Sequence, residues 1–209
     1  MARDPAKTHI YHITDVANLA AIVAAGRLLS DANLIAAEIK PASVAFSHIK
    51  DRRRSKRIPG AGNRTVHEFV PFYYCPRSPM LLTINSGNTG KPLGYQSRIV
   101  HLVSTVARGI ALGRAWAITS MNAGTDYLTD FYHHTDDLER IDWELIASDS
   151  WPRRATEKSA EFLVADEFPW DQVIYIGCHN EAVRGEIEQI LAGTAHSPKV
   201  VARPDWYYS

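Results

Sequence analysis

The sequence predicts a single α+β domain spanning residues 1–209, and three observations support this class. Short apolar and β-branched runs, typical of strands, recur along the whole chain. Helical periodicity is confined to a few brief segments between these runs. Strands and helices do not alternate regularly, which argues against a doubly wound parallel sheet. At 209 residues the chain is also long enough to bury one core without disulfides or a structural metal.

Composition is that of an ordinary globular protein, with 45% hydrophobic and 22% charged residues. The 23 basic and 23 acidic residues cancel, so net charge predicts affinity for neither nucleic acid nor a membrane. The charges are unevenly placed, however. Residues 50–57, KDRRRSKR, hold six cations and one acid, whereas residues 126–144 hold seven acids. A local basic surface is therefore compatible with overall neutrality.

Cysteine usage and the N-terminal segment predict the compartment. Cys75 and Cys178 form no CxxC pair, so we expect two buried free thiols rather than a zinc finger. No apolar run approaches the ~18 residues that span a bilayer. The N-terminal MARDPAKTH contains no apolar signal core. We therefore expect a cytoplasmic protein without a membrane partner.

The N-terminal half opens with a strand that leads directly into a helix. His9–Thr14 has strand composition, Asp15 is a good N-cap, and Gly26 ends the apolar periodicity that follows. Further strands and helices are expected downstream. The predicted elements of this half are a helix at 32–38, a strand at 64–74 interrupted by Pro71, and a strand at 81–84.

The C-terminal half shows a clearer pattern of short elements. Strand-like stretches occur at 99–104, 115–119, 161–164, 173–178 and 199–208. Helical segments are expected at 105–113, around 141–146, and at 181–191 after the cap Asn180. Polar loops are expected at 120–126 and 148–158.

One carboxylate stands at the edge of an apolar run. Glu161 directly precedes Phe162–Val164, so it lies where a strand enters the core. A charge that is half removed from water must be paired, hydrogen-bonded or used. The simpler interpretation is a strand-end glutamate paired with a nearby lysine or arginine, because such ion pairs are common. The alternative interpretation is a catalytic carboxylate.

Several familiar chemistries lack their motifs. The chain has no GxGxxG after a strand, no GxxxxGK[ST] and no GxSxG, so a dinucleotide fold of the Rossmann type, a P-loop and a hydrolase elbow are not supported. The sequence HHTDD at 133–137 could suggest a metal. Adjacent residues point in different directions on any regular element, so we do not expect a metal site there.

Seven segments together resemble one known family. The chain resembles the DarT family of DNA ADP-ribosyltransferase toxins over nearly its whole length and in order. The matching segments are YHITDVANL (11–19), HIKDRR (48–53), VPFYYCPRSPML (70–81), IVHLVS (99–104), RIDW (140–143), AEFLV (160–164) and PDWYY (204–208). The segments PFYYCPRSPML and AEFLV carry most of the specificity. One departure is the turn Ser120–Ala123, where the family usually has more polar residues.

The resemblance implies a fold, a reaction and partners. The fold is the PARP-like ADP-ribosyltransferase fold, a split mixed sheet with short flanking helices that holds NAD+ in a cleft. The reaction transfers ADP-ribose from NAD+ to a thymine ring nitrogen in single-stranded DNA. NAD+ is then a co-substrate, no metal is required, and a macrodomain antitoxin that removes the modification is the expected protein partner.

Residue chemistry agrees with a transferase of this kind. Loss of nicotinamide develops positive charge at the anomeric carbon. The Glu161 carboxylate would stabilise that charge and orient the ribose. His12 and Thr14 have the polarity to hold ribose hydroxyls, and the backbone of Ile13 could bond the nicotinamide amide. For His12 the simpler alternative is a structural histidine with satisfied hydrogen bonds.

Arginine 52 is the second predicted catalytic residue. Its planar guanidinium could bind an NAD+ phosphate or polarise the thymine carbonyls. The run Arg52–Arg54 leaves the register open by one residue. The remaining cations of the run would follow the DNA backbone.

The resemblance also implies a wider set of contact residues. The expected cofactor contacts are His12, Ile13, Thr14, Asn18, Leu19, Arg52 and Phe72. The expected DNA contacts are Arg53, Arg54, Tyr73, Arg77, Met80, Trp151, Arg153 and Arg154. Aromatic rings beside a cleft can stack on nicotinamide or a base. Most aromatic residues in strands belong instead to the core, which is the alternative for Phe72 and Tyr73.

Two other functions remain open from the sequence. The first is an ADP-ribosyltransferase or NAD glycohydrolase of the same fold with RNA, protein or water as acceptor. The second is a nucleic-acid-binding module without catalysis, which would depend on the basic run alone. Loss of activity on replacing Glu161 separates both enzymes from the binding module.

Overall fold

An eight-stranded mixed sheet organises the part of the chain that the computed structural model describes, residues 3–42, 47–125 and 129–209. The strand order is β10-β9-β4-β1-β3-β7-β5-β6, and β2 and β8 form a separate two-stranded sheet. The strands are β1 (His9–Asp15), β2 (Arg27–Leu29), β3 (Phe69–Tyr73), β4 (Ile99–Thr105), β5 (Trp116–Thr119), β6 (Phe131–Tyr132), β7 (Glu161–Ala165), β8 (Glu167–Pro169), β9 (Tyr175–Cys178) and β10 (Lys199–Ala202). Only the β10–β9 pair among these is parallel.

Short helices flank the sheet. They are α1 (Leu19–Ala25), α2 (Asp31–Ala36), α3 (Ser47–Ser55), α4 (Pro79–Asn85), α5 (Val106–Ala111), α6 (Trp143–Ala147), α7 (Ala155–Lys158) and α8 (Glu181–Leu191). Side-chain caps begin many of them, as expected for helices too short to be stable alone. No helix in the described ranges is long and apolar enough to cross a membrane.

The sheet splits between its two central strands. β1 pairs with β4 over seven residues, but it pairs with β3 only at Tyr11–Tyr73. The two strands run antiparallel, and from His12 onward β1 moves away from β3 and forms no further pair with it. Pro71 lies on the diverging part of β3, where its missing N–H costs no ladder hydrogen bond with β1. The split therefore leaves an open backbone edge on each side.

The two faces of the sheet are packed differently. One face is covered by a continuous apolar cluster that includes Ile10, Phe72 and Phe162. The other face carries two separate clusters, one around Val66 and Leu163 and one around Ile13, Val103 and Trp206. Residues opposite one another on neighbouring strands share a face. Glu161 and Tyr73 therefore lie on the face where the core is divided.

Most predicted elements are confirmed. Asp15 caps the turn after β1 by accepting from Ala17 N at 3.0 Å, and Gly26 ends α1 with a φ of 68°. Asn180 caps α8 as expected, and both cysteines are free and buried.

Four predictions of local structure were wrong. Residues 81–84 are helical, because Ser78 caps α4 through Leu81 N and Pro79 occupies its first turn. The predicted strand 64–74 begins only at Phe69, after a capped 3-10 turn. The last predicted strand ends at Ala202. Residues 155–158 of the predicted loop 148–158 form α7. In addition, the basic run, for which no element was predicted, forms most of α3. Asp126 of the predicted loop 120–126 lies outside the described residues.

Candidate active site

Glu161 begins β7 at the point where the split closes. Its side chain is 1% exposed, and the four residues that follow it in the strand are also buried. Across the ladder it faces Tyr73, the residue that also pairs with β1. Burial and the nearby Glu161 charge raise the pKa of Tyr73 well above its usual value, so its phenol stays protonated. The glutamate predicted from sequence is therefore enclosed beside the cleft.

Arg53 is the arginine that contacts this carboxylate. Its Nη1 lies 3.1 Å from Glu161 Oε1 and 3.0 Å from Oε2. The arginine side chain is 15% exposed, so the pair is largely shielded from water. Arg53 Nη2 is buried and has no hydrogen-bond partner among the described residues. This nitrogen is therefore a donor close to Glu161 whose hydrogen-bonding capacity is not used by the described residues.

The arginine that contacts Glu161 is not the one to which we assigned catalysis, and the catalytic assignment of Arg52 stays a prediction. We assigned the catalytic position to Arg52 and a DNA contact to Arg53. Successive residues on a helix are rotated by about 100°, so only one of the two can face the carboxylate. In α3 that residue is Arg53. Arg52 lies half-buried on the same helix and makes contacts of its own.

Thr119 connects Glu161 to the loop after β5. The threonine is fully buried, and its hydroxyl accepts from Glu161 N at 2.9 Å and donates to Met121 O at 2.6 Å. The loop then folds back, and Ala123 N donates to Glu161 Oε1 at 3.1 Å. One hydroxyl therefore fixes both the backbone of the glutamate and the loop that bonds its carboxylate.

The loop 120–125 is itself held from both sides. Asn122 N donates to Thr156 O at 2.9 Å, and Lys56 Nζ donates to Thr125 O at 2.7 Å. At Gly124 a Cβ atom would lie 3.0 Å from Arg53 Cγ, so the small residue lets the loop approach the arginine. The turn Ser120–Ala123, which departs from the expected family pattern, contacts the Glu161 carboxylate through the backbone N–H of Ala123.

His12 spans the split between the diverging strands. Its Nδ1 lies 2.9 Å from Pro71 O, and its ring packs edge-on against Phe72 at 5.7 Å. Burial lowers the pKa of His12, so the imidazole is neutral near pH 7. The neutral ring donates from Nδ1 to the carbonyl, which leaves Nε2 as an acceptor. The Nδ1 hydrogen bond to Pro71 O is one that a structural histidine would also make, so the proposed contact with ribose depends on Nε2.

The other predicted cofactor residues follow His12 along the open edge. Ile13 and Thr14 continue β1 beyond its last pair with β3. Asn18 donates from Nδ2 to Thr14 Oγ1 at 3.1 Å and exchanges hydrogen bonds with the backbone of Ala42. Leu19 is fully buried in the main cluster, so its side chain packs in the core.

Phe72 is also a core residue. It is 1% exposed and packs against Phe168 at 4.8 Å, so its ring offers no open face for stacking. Its contribution to the site is to support the His12 ring. Tyr73, by contrast, is half-buried beside Glu161.

Four of the predicted DNA-contact residues, Arg77, Trp151, Arg153 and Arg154, lie in the loop that precedes Glu161 or contact it. Arg77 pairs with Asp149 at 2.8 Å and lies over the Tyr208 ring. Arg153 and Arg154 are exposed, the former with a φ of 61° and the latter paired with Asp142. Further predicted residues are the half-buried Met80 and Trp151, and Arg54, which pairs with its helix neighbour Asp51.

A buried lysine organises the base of the same loop. Lys158 is 2% exposed, and its Nζ donates to the carbonyl oxygens of Leu145, Ile146 and Ser148 at 3.1, 2.6 and 2.7 Å. Its three protons are thereby satisfied. The lysine closes the end of α6 and fixes where the loop before Glu161 begins.

Sequence reasoning missed Thr119, Ala123 and Lys158. Thr119 and Lys158 act by bonding backbone groups, for which no sequence motif exists. The position of Ala123 had one signal, since it lies in the turn that departs from the family pattern. No three His, Cys, Asp or Glu side chains in the described ranges are grouped to hold a metal.

Comparison with solved structures defines the class of protein. The structure aligns with Thermus sp. 2.9 DarT in complex with ADP-ribosylated ssDNA at a TM-score of 0.88 and 35% identity, covering 100% of both chains. It aligns with the same enzyme in complex with NAD+ at 0.85 and 33% identity, again over 100% of both chains. The split sheet and its buried glutamate are thus those of an ADP-ribosyltransferase.

Sequence comparisons narrow the class to one family. A family model described as "ssDNA thymidine ADP-ribosyltransferase, DarT" matches residues 11–208. A DNA ADP-ribosyl transferase of Thermus sp. (strain 2.9) is 36% identical over 98% of this chain and 98% of its own. One from Mycobacterium tuberculosis is 30% identical over 95% of this chain and 88% of its own. The chain belongs to the DarT family.

Proposed function

We propose that this protein transfers ADP-ribose from NAD+ to thymidine in single-stranded DNA and releases nicotinamide. The observation that carries the proposal is the Arg53–Glu161 pair at the closed end of the split, within a chain of the DarT family. The relatives solved with NAD+ and with ADP-ribosylated ssDNA support both substrates. The acceptor atom is N3 of thymine, because N1 already carries the deoxyribose.

The reaction assigns distinct work to each residue. The bond from C1′ of the ribose to nicotinamide breaks, and its electron pair leaves with nicotinamide. The Glu161 carboxylate stabilises the positive charge that develops on the sugar. Thymine N3 then bonds to C1′ and gives its proton to that carboxylate. Arg53 Nη2, the unpartnered donor, polarises a thymine carbonyl while the ring carries negative charge.

NAD+ occupies the open edge of β1 in this proposal. His12 Nε2 and the Thr14 hydroxyl bond ribose hydroxyls, and the backbone of Ile13 bonds the nicotinamide amide. Asn18 keeps Thr14 in place through the 3.1 Å contact. Arg52 stays a candidate for a phosphate of NAD+. The exposed Arg54, Arg153 and Arg154 would follow the DNA backbone, together with the half-buried Trp151.

An acceptor screen tests the proposal. The protein is incubated with NAD+ and, separately, with a thymidine-bearing oligonucleotide, its thymine-free counterpart, RNA and a protein mixture, followed by intact mass measurement. We expect one ADP-ribose to be added only to the thymidine-bearing strand. Annealing the complement should protect that strand, because N3 is engaged in base pairing. Nicotinamide release without DNA modification would favour a glycohydrolase instead.

Substitution of the glutamate tests the mechanism. Glu161→Gln should lower transfer at least ~100-fold, because the charge that meets the sugar cation is lost. NAD+ binding, measured by calorimetry, should be largely retained. Glu167→Gln is a matched control, since Glu167 also lies at a strand start and pairs with Arg27 and Arg114 away from the site. Full transfer by Glu161→Gln would show that this carboxylate is not catalytic, whereas a biological effect that persists without any transfer would favour a non-catalytic binding module.

The biological setting extends the same proposal. An enzyme that modifies single-stranded DNA needs access to the cytoplasm, where both NAD+ and DNA are available. Uncontrolled modification of DNA would harm the cell, so we propose that the protein is the toxin of a toxin–antitoxin pair. A macrodomain that removes ADP-ribose from DNA is the expected antitoxin. Co-expression with and without such a macrodomain, scored by colony formation, tests this part.

A further inference from the structure

A cavity lies beneath the loop that leads to Glu161. It measures about 310 Å³ and is lined by the loop after β3, by α6 and by Asp149. This volume is at the lower end of the range for small-ligand pockets. It lies near the active site, because the phenol of Tyr74 on its wall is close enough to Glu161 to be affected by that charge.

Two buried donors on the cavity wall have no partner in the described part of the chain. They are Tyr74 Oη and Arg77 Nε. Tyr74 is 5% exposed, and burial together with the charge of Glu161 raises the pKa of its phenol, so the hydroxyl keeps its proton. Burying a hydroxyl without a partner is unfavourable, and phenylalanine would fill the same space without that penalty. The hydroxyl therefore points to a ligand that accepts hydrogen bonds.

The other wall groups are already engaged. Lys158 donates its three protons to backbone carbonyl oxygens, and the Cys75 thiol donates to Arg77 O. Trp143 packs against the Tyr74 ring at 5.3 Å, and its indole N–H donates to Leu138 O. The indole therefore lines the cavity with its hydrogen-bond donor already satisfied. The cavity thus combines an aromatic wall with two unmatched donors.

We propose that this cavity binds a pyrimidine base next to the target thymidine in the DNA strand. A pyrimidine presents ring carbonyl oxygens to Tyr74 Oη and Arg77 Nε, and its flat face can pack against Trp143. Asp149, which pairs with Arg77 at 2.8 Å, holds the guanidinium at the mouth of the cavity. The inference rests on the proposed function, and it makes this cavity a determinant of sequence preference.

The position of Arg3 is part of the same arrangement. Its guanidinium lies 3.4 Å from the centroid of the Trp143 ring and covers one face of the indole. Burial lowers the pKa of this arginine, but the group remains charged at neutral pH. A base entering the cavity would therefore meet a second cation beside Trp143, and in this proposal Arg3 pairs with the adjoining phosphate.

The test uses Tyr74→Phe in the full-length protein. If the Tyr74 hydroxyl does not contact DNA, its removal should leave the KM for DNA unchanged. We expect instead a KM for DNA raised about 10-fold, equivalent to about 1.4 kcal/mol, with the KM for NAD+ unchanged and the melting temperature equal or higher. Tyr132→Phe is the matched control, because that hydroxyl bonds Asp130 at the surface. An unchanged KM for DNA in Tyr74→Phe overturns the proposal.

Abasic oligonucleotides locate the base. Removing the base at one position next to the thymidine should raise the wild-type KM about 10-fold, and Tyr74→Phe should show no further penalty on that oligonucleotide. If the two changes instead raise the KM for DNA independently of each other, the Tyr74 hydroxyl does not contact that base and the proposed base-binding role of the cavity is refuted. Binding measured by fluorescence anisotropy gives the same comparison without turnover. A wild-type protein that modifies no DNA would refute the proposed function itself, which is a separate result.

Discussion

Replacing Thr119 with valine removes one hydroxyl and keeps the branched shape of the side chain. The lost hydroxyl serves Glu161 N at 2.9 Å and Met121 O at 2.6 Å in a fully buried position. Each buried backbone group left without a partner costs about 1–3 kcal/mol. We therefore expect the free energy of unfolding of Thr119→Val to fall by about 2–4 kcal/mol, as measured by urea denaturation.

The same change should slow catalysis more than it weakens NAD+ binding. The loop that Thr119 anchors carries Ala123 N, which bonds the Glu161 carboxylate at 3.1 Å. A displacement of a catalytic group by about 1 Å can cost about 100-fold in rate. We expect kcat to fall by about that factor while the KM for NAD+ changes less than about threefold, both measured from nicotinamide release at a temperature where the variant is folded.

Thr119→Ser is the control, because it keeps the hydroxyl and loses only a methyl group. It should retain most of the wild-type kcat despite its own loss of stability. If Thr119→Val is folded and turns over like the wild type, the loop does not position Glu161. If the serine variant is as slow as the valine variant, packing rather than the hydroxyl is responsible.

Three further predictions concern the arginine, the glycine beside it and a buried histidine. Arg53→Lys should lower transfer about 100-fold, because lysine lacks the planar donor fork. Arg52→Lys should lower transfer only a few-fold. The opposite order of effects would favour Arg52 as the catalytic arginine. Gly124→Ala should reduce kcat about 10-fold, because its Cβ would lie 3.0 Å from Arg53 Cγ. Gly185→Ala is the control and should leave kcat unchanged, because a Cβ atom there would have no heavy atom within 4 Å. Burial lowers the pKa of His101 to about 4, below its unfolded value of about 6.5, so the stability it contributes is complete above pH 6.5 and is lost as the pH falls toward 4. Urea denaturation should show a loss of about 2 kcal/mol between pH 6.5 and 5, and equal stability at both values would contradict it.

Local signals in the sequence predicted most of the fold. The Asp15 cap, the Gly26 stop and the Asn180 cap are each determined by a few neighbouring residues, and each is found in the structure. The strand at Glu161 was recognisable because an apolar run must be buried. Residues 81–84 were misassigned because a strand-like apolar composition was weighed above the cap and proline that precede it.

The site was predictable only in part. Glu161 stood out as a carboxylate beside an apolar run, whereas its catalytic role and the role of His12 were expected from the resemblance to the DarT family. Knowing which of Arg52 and Arg53 contacts Glu161 required the phase of α3, which depends on how the helix packs and not on its own sequence. Thr119 acts through backbone atoms brought together by strand order, and such long-range contacts leave no trace in a single sequence.

Lys158 fixes the two ends of the loop that leads to Glu161. Its bond to Ser148 O joins the two ends of residues 148–158, and Glu161 lies three residues beyond the lysine. Fixing the ends of a loop confines its freedom to the interior. Exchange of residues 149–155 between relatives should therefore change which DNA sequences are accepted while the transfer chemistry stays intact, provided that Thr156 keeps its bond to the loop after β5. The lysine thus lets the composition of this loop vary without moving the glutamate.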